Sequence, residues 1–159
     1  MIWRVALSVA LLVAIACGPA SASTTRTLQT SVGEIQFAED GAVTILADTE
    51  DLDTTLHVAA DGQLTRDDAP IPTDKGDRKL LREFARESEK LADLLDEVSA
   101  LVARQVDPET DPGEMEDLGK DLADLGKKLE KQNLKLARIT GKLVDRNPEL
   151  EVFGSLFAE

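Results

Sequence analysis

Two runs of apolar residues at alternating steps of three and four leave the C-terminal half of this chain little conformational choice. Leu81, Phe84, Ser88, Leu91, Leu95, Val98 and Val102 make the first run. Met115, Leu118, Leu122, Leu125, Leu129, Gln132, Leu136, Ile139 and Leu143 make the second. Such spacing holds side chains on one side of an α-helix and defines a heptad seam. Leu80, Leu94 and Leu101 widen the first seam on one flank. Asp107-Pro108 and Asp111-Pro112-Gly113 separate the two runs, and Asn147-Pro148 ends the second. A connector this short makes consecutive helices antiparallel, and each arm is roughly 40 to 50 Å long at 1.5 Å per residue. The spacing therefore predicts a long helical hairpin with a coiled-coil seam over residues 73–147, with Asp74 or Asp77 as its N-cap. Residues 148–159 hold Leu150, Val152, Phe153, Leu156 and Phe157, enough apolar surface for a short packed helix or tail.

A different periodicity precedes the hairpin. Residues 37–45 (Phe37 to Ile45) align with residues 58–66 (Val58 to Arg66), and each copy centres on an Asp-Gly pair, Asp40-Gly41 and Asp61-Gly62. Asp-Gly accepts the positive φ of a tight hairpin turn, and the flanking residues alternate as strands do. Residues 33–72 are thus predicted to form a small antiparallel β-meander of two hairpins. Asp48 to Thr55 is read as an acidic loop between them. Residues 23–32 are polar around the single Leu28 and are read as a flexible lead-in or a frayed edge strand. The fold class expected is α+β.

The first 22 residues have the composition of a secretory signal: Arg4, then an apolar run from Val5 to Ala16, then Gly18-Pro19 and the small residues Ala20-Ser21-Ala22. The run is shorter than the roughly 20 residues of a membrane-spanning helix. Cleavage is expected between Ala22 and Ser23, releasing a periplasmic or secreted protein. The competing expectation is lipidation at Cys17, which would anchor the chain in the bacterial envelope, although Ala14 stands where a lipobox usually has Leu. Loss of the signal removes the single cysteine of the chain, so the mature protein would rely on packing without disulfides.

Charge narrows the partners. Of 159 residues, 31 are acidic and 18 basic; without Arg4 the net charge is −14, a balance that argues against nucleic acid. Chemistry is sparse as well. The one histidine, His57, falls on a predicted strand with no serine elbow to serve it. Asp48, Glu50, Asp51 and Asp53, with Asp67 and Asp68, crowd the β side, and hard oxygen ligands at that density suit Ca²⁺. The order of an EF-hand is absent, however, and an ordinary acidic loop is the preferred reading. No metal, cofactor or catalytic residue is assigned.

One stripe does stand out. Lys128, Lys131, Lys135, Arg138 and Lys142 repeat at steps of three and four beside the second seam. Cations there complement the helix dipole; they also form a docking face for an acidic surface, whether the protein's own β region, a partner or anionic lipid headgroups. Gly119, Gly126 and Asn133 recur every seven residues along the same helix. Glycine costs about 1 kcal/mol in a helix, so the repeat predicts a close backbone approach by a neighbour.

Residues 56–100, from the strand and turn Val58-Ala59-Ala60-Asp61-Gly62-Gln63-Leu64 to the helix opening at Arg78-Lys79-Leu80-Leu81, resemble the YggN-like group of bacterial periplasmic proteins. The resemblance implies compartment and architecture and carries no activity with it. The function expected is that of an exported, non-enzymatic interaction or structural protein, pairing through its helices with itself or with an envelope partner. Leu94 and Leu101, which one partner helix would leave uncovered, and the basic stripe are the contact residues. The alternative is an envelope-anchored ligand or Ca²⁺ binder using the acidic loop.

Overall fold

The computed structural model describes residues 26–30, 33–49, 52–106 and 111–156. The proposed signal, with Cys17, Ala22 and Ser23, lies outside the described residues, as do Glu50, Asp51 and Phe157. Six strands come first: β1 (Arg26–Thr30), β2 (Gly33–Phe37), β3 (Val43–Thr49), β4 (Leu52–Val58), β5 (Leu64–Arg66) and β6 (Ala69–Ile71). They form one antiparallel sheet in the order of the sequence, each strand pairing with the one before it. Two long helices follow, α1 (Lys75–Gln105) and α2 (Pro112–Arg146), then a 3₁₀ turn (Pro148–Leu150) and the short α3 (Glu151–Ser155). The α+β meander-plus-hairpin architecture is present. No helix among the described residues is long and apolar enough to cross a membrane.

The two Asp-Gly turns are superimposable in their bonding. Ala38 N–H donates to Ala42 O and Gly41 N–H to Ala38 O; Ala59 and Gly62 do the same with Gln63 and Ala59. Three residues lie between the bonded pair Ala38 and Ala42, and three between Ala59 and Gln63; only the glycine among them is left-handed, at φ 83° for Gly41 and 84° for Gly62. This is a type I turn closed by a glycine bulge. The aspartate caps the turn: Asp40 Oδ1 accepts from Ala42 N–H and Asp61 Oδ1 from Gln63 N–H, each at 2.9 Å. At Gly62 a Cβ would lie 2.4 Å from Arg78 O, so this turn can sit against the first turn of α1 only as glycine.

The sheet is larger than two hairpins. Where an acidic loop is expected over residues 48–55, the described residues are strand: Asp48 and Thr49 end β3, and Leu52 to Thr55 begin β4, with Asp48 opposite Asp53. The acids mark a hairpin end, and the alternation is hidden because Thr54 is an inward-facing position, 7% exposed. Arg26–Thr30 is the edge strand of the two readings offered for it, with Leu28 buried against the core. A further hairpin joins β5 to β6 through Asp67 and Asp68, both at positive φ (48° and 66°). Two left-handed residues make a type I′ turn, which aspartate tolerates where branched residues do not. The Asp67 carboxylate accepts from the Thr54 hydroxyl and the Thr55 N–H, tying this turn to β4.

One face of the sheet is apolar and covered. Ile35, Phe37, Val43, Ile45, Ala47, Leu56, Val58, Leu64 and Ile71 join Leu81, Phe84, Leu91, Leu136, Ile139 and Leu143 from the helices in a single core. The tail completes it: Leu150, Val152, Phe153 and Leu156 are buried, and the Phe153 ring meets Phe84 edge-on with centroids 5.1 Å apart. The other face is polar; His57 lies there, its Nδ1 3.1 Å from the Thr44 hydroxyl on the neighbouring strand.

The start of α1 and the end of α2 are clasped. Asp74 caps α1, its side chain accepting from Asp77 N–H while the Asp77 side chain accepts from Asp74 N–H. Arg146, in the last turn of α2, reaches both carboxylates, with Nε 2.6 Å from Asp77 Oδ1 and Nη2 2.6 Å from Asp74 Oδ2. The Asp77 amide and the Arg146 guanidinium together hold the Asp74 carboxyl below its ordinary range.

Candidate interaction surface

The seams predict which side of each helix is buried; they do not predict where burial stops. Near the sheet the hairpin is fully covered, with Leu81, Phe84, Leu136 and Leu143 at 0% exposure. Toward the far end only Leu118 and Leu125 are buried, and they lie outside the main core. Val102, Met115 and Val106 are exposed. Arg104 pairs with Glu114 across the turn.

Along one flank of the hairpin runs an open groove of about 900 Å³. Glu87, Lys90, Asp93 and Leu94 line it from α1; Lys128, Lys131, Gln132, Leu134, Lys135 and Arg138 line it from α2. Five cations thus stand against two acids, each of which already holds a basic partner. Four residues of the basic stripe are thus brought together with Leu94. Lys142 is exposed but lies beyond the groove, and Leu101 sits half-buried nearer the tip. The stripe does not fold onto the protein's own β region. Among the described residues Lys128, Lys131 and Arg138 form no ion pair, and Lys135 bonds to α1 instead.

The acceptor of Lys135 is the residue that sequence reasoning missed. Glu87 is 1% exposed, yet it is charged. Its Oε2 lies 2.9 Å from Lys135 Nζ and 3.0 Å from Gln132 Nε2, and its Oε1 lies 3.0 Å from Lys90 Nζ. Gln132 Nε2 also donates to the Glu87 backbone carbonyl at 2.8 Å. Burial alone would raise the pKa of this carboxyl. The hydrogen bonds from Gln132, Lys135 and Lys90 outweigh it and bring the value down from 4.5 to about 2. The signal was in the sequence: Leu80, Leu94 and Leu101 are members of a seven-residue row whose missing member is Glu87. Gln132, the polar residue on the other seam, is its partner. Together they lock the two helices in register, as a buried polar pair does in coiled coils.

The glycine repeat has no such role. A Cβ on Gly119 or Gly126 would meet nothing within 4 Å, and both residues, with Asn133, are exposed. The expected close backbone approach is absent; the backbone approaches that do require glycine are at Gly62 and at Gly33, where a Cβ would lie 1.9 Å from Leu46 O. On the β side, no group of three or more His, Cys, Asp or Glu among the described residues could hold a metal ion, and Asp67 already serves its own turn.

The groove is chemically an anion-accepting surface with an apolar floor, on a chain whose net charge is −13. Compared with protein-family models, with curated proteins and with solved structures, the chain matches none of them.

Proposed function

We propose that this protein is an exported, non-enzymatic interaction protein of the bacterial envelope that docks a partner on the flank of its helical hairpin. The observation that carries the reading is the groove itself. Cations that could have been neutralised by a predominantly acidic protein face solvent beside Leu94 and the 55% exposed Leu134. Charged surfaces of this kind govern encounter rate and choice of partner, and partly exposed leucines supply area to bury. Compartment rests on the composition of residues 1–22 and on the likeness of residues 56–100 to the YggN-like group. His57 pairs with Thr44 on an open polar face, a cross-strand contact that makes no demand for catalysis.

The test is photo-crosslinking in the producing cell, with a photoreactive residue placed at Leu94, Leu101 or Lys131 and, as control, at His57. Adducts are expected from the hairpin positions and not from the sheet position. Absence of adducts from every hairpin position overturns the reading.

A further inference from the structure

Eight of the fifteen charged residues of α2 are antisymmetric about Gly126. Counting toward the C-terminus, Lys128, Lys131, Lys135 and Arg138 stand two, five, nine and twelve residues away; counting toward the N-terminus, Asp124, Asp121, Asp117 and Glu114 stand at the same distances. The eight form one stripe, because steps of three and four run without a break from Glu114 to Arg138 and keep to one face. Each stands one residue before a seam position, and all eight are exposed. The basic half of the stripe lines the groove. The acidic half continues the same flank toward the tip.

From this we infer that the occupant of the groove is a second copy of this chain, packed antiparallel along α2 about a two-fold axis at the level of Gly126. The inference rests on the docking role proposed above and gives that role its partner. A two-fold interface must be self-complementary, and a helix acidic at one end and basic at the other is so only when inverted against itself. Asp124 then faces Lys128 of the second copy, Asp121 faces Lys131, Asp117 faces Lys135 and Glu114 faces Arg138, and the axis repeats every pair. A parallel arrangement would set like charge against like along the full length, acid against acid toward the tip and base against base toward the sheet. Four of the eight already hold partners. Asp117 with Lys120 and Asp124 with Lys127 are exposed pairs within one helix, worth little in water. Lys135 and Glu114 stay bonded to Glu87 and Arg104 of α1, so the pairs nearest the axis, Asp124 with Lys128 and Asp121 with Lys131, carry the contact. Apolar contacts follow the same symmetry. The cross-helix bonds Gln132–Glu87 and Arg104–Glu114 set the levels of the two helices, placing Leu94 abreast of Leu125 beside the axis. By the same register Leu101 lies level with Leu134 of the second copy. The contact runs over about 36 Å of helix at 1.5 Å per residue.

The experiment is sedimentation of the full-length gene product in the form the cell makes, at low and at high salt. A dimer is expected at low salt that dissociates as salt rises, since exposed charge pairs are screened. The double variants Lys128→Glu/Lys131→Glu and Asp121→Lys/Asp124→Lys should each weaken self-association by at least about 100-fold, because like charges then face each other. Mixed together they should form a heterodimer, an outcome that misfolding cannot produce. A wild-type monomer at low salt, variants that dimerise as the wild type does, or a mixture that stays monomeric each overturns the second copy as partner. A monomer that binds anionic lipid vesicles overturns it in favour of headgroups. Adducts of another mass from position 131 in cells, with none of dimer mass, would leave the docking role standing without this partner, whereas the absence of adducts of any mass from every hairpin position removes both.

Discussion

The two ends of the helical hairpin are built on the same heptad pattern and differ in almost everything else. At the sheet end, the seam of α1 and α2 meets a third layer, and the tail folds over it, so Phe84 and Phe153 are completely enclosed. At the tip, the same spacing of leucines meets only its opposite number, and Val106 is left 73% exposed. The difference teaches that a heptad defines an inward side but not a depth. Two helices alone bury a narrow seam, and a stripe of greater width needs a further surface, either a sheet or another molecule. Glu87, 1% exposed yet lining the basic groove, sits at the border between the buried side of the hairpin and its open flank.

Cavity-forming substitutions should separate the regimes most strongly. Phe84→Ala is expected to cost about 3–5 kcal/mol in chemical denaturation, the range for a fully enclosed aromatic. Leu118→Ala should fall at or below about 2 kcal/mol, the low end for leucine, because water and relaxation reach the tip easily. Equal costs would show that the tip is as well supported as the base.

The border is tested by its polar pair. Gln132→Leu removes two hydrogen bonds and leaves the Glu87 carboxylate short of a donor, a loss of about 1–3 kcal/mol. Glu87→Leu should be close to neutral at pH 7, since it completes the Leu80–Leu94–Leu101 row and frees two half-exposed lysines to water. Acid sharpens the contrast. The Glu87 pKa is lowered on folding, from 4.5 to about 2, so its contribution is complete above about pH 4.5 and is lost as pH falls toward 2. Denaturation midpoints of wild type and Glu87→Leu should therefore move in favour of the variant between pH 4.5 and 2.5. A constant difference would mean that the carboxylate titrates normally in the fold.

The smallest effect concerns the glycine repeat. Gly126→Ala, with open space where its Cβ would go, should stabilise the chain by about 0.5–1 kcal/mol through helix propensity alone. A loss would reveal a neighbour on that side of α2.

Much of this architecture was legible because it is written in periods. Both helices follow from steps of three and four, and the paired turns follow from Asp40-Gly41 and Asp61-Gly62. What escaped was written in residues whose usual meaning is different. Thr54 serves as an inward strand position among acids, so residues 48–55 resemble a loop. Asp67 and Asp68 make a left-handed hairpin without glycine and resemble metal ligands instead. Leu28 is the one apolar anchor of an otherwise polar edge strand. Glu87 is buried with its charge intact because three donors from two helices converge on it, a fact about tertiary neighbours that no single helix pattern contains. The basic stripe was visible in sequence, but its exposure, and so its availability to a partner, depended on the sheet lying elsewhere.

The order of the strands has a consequence for how the chain reaches this state. Every strand pairs with its predecessor, and each helix pairs with the next, so most of the native topology consists of short loop closures. Chains of that kind fold rapidly. The longest polar closures are made by arginines: Arg26 to Asp93 and Asp96, Arg66 to the Glu149 carbonyl, Arg146 to Asp74 and Asp77. These would fasten pieces already assembled, like pegs driven after the frame is up. Under the export proposed above, a chain that folds only after crossing a membrane would be well served by such an assembly order.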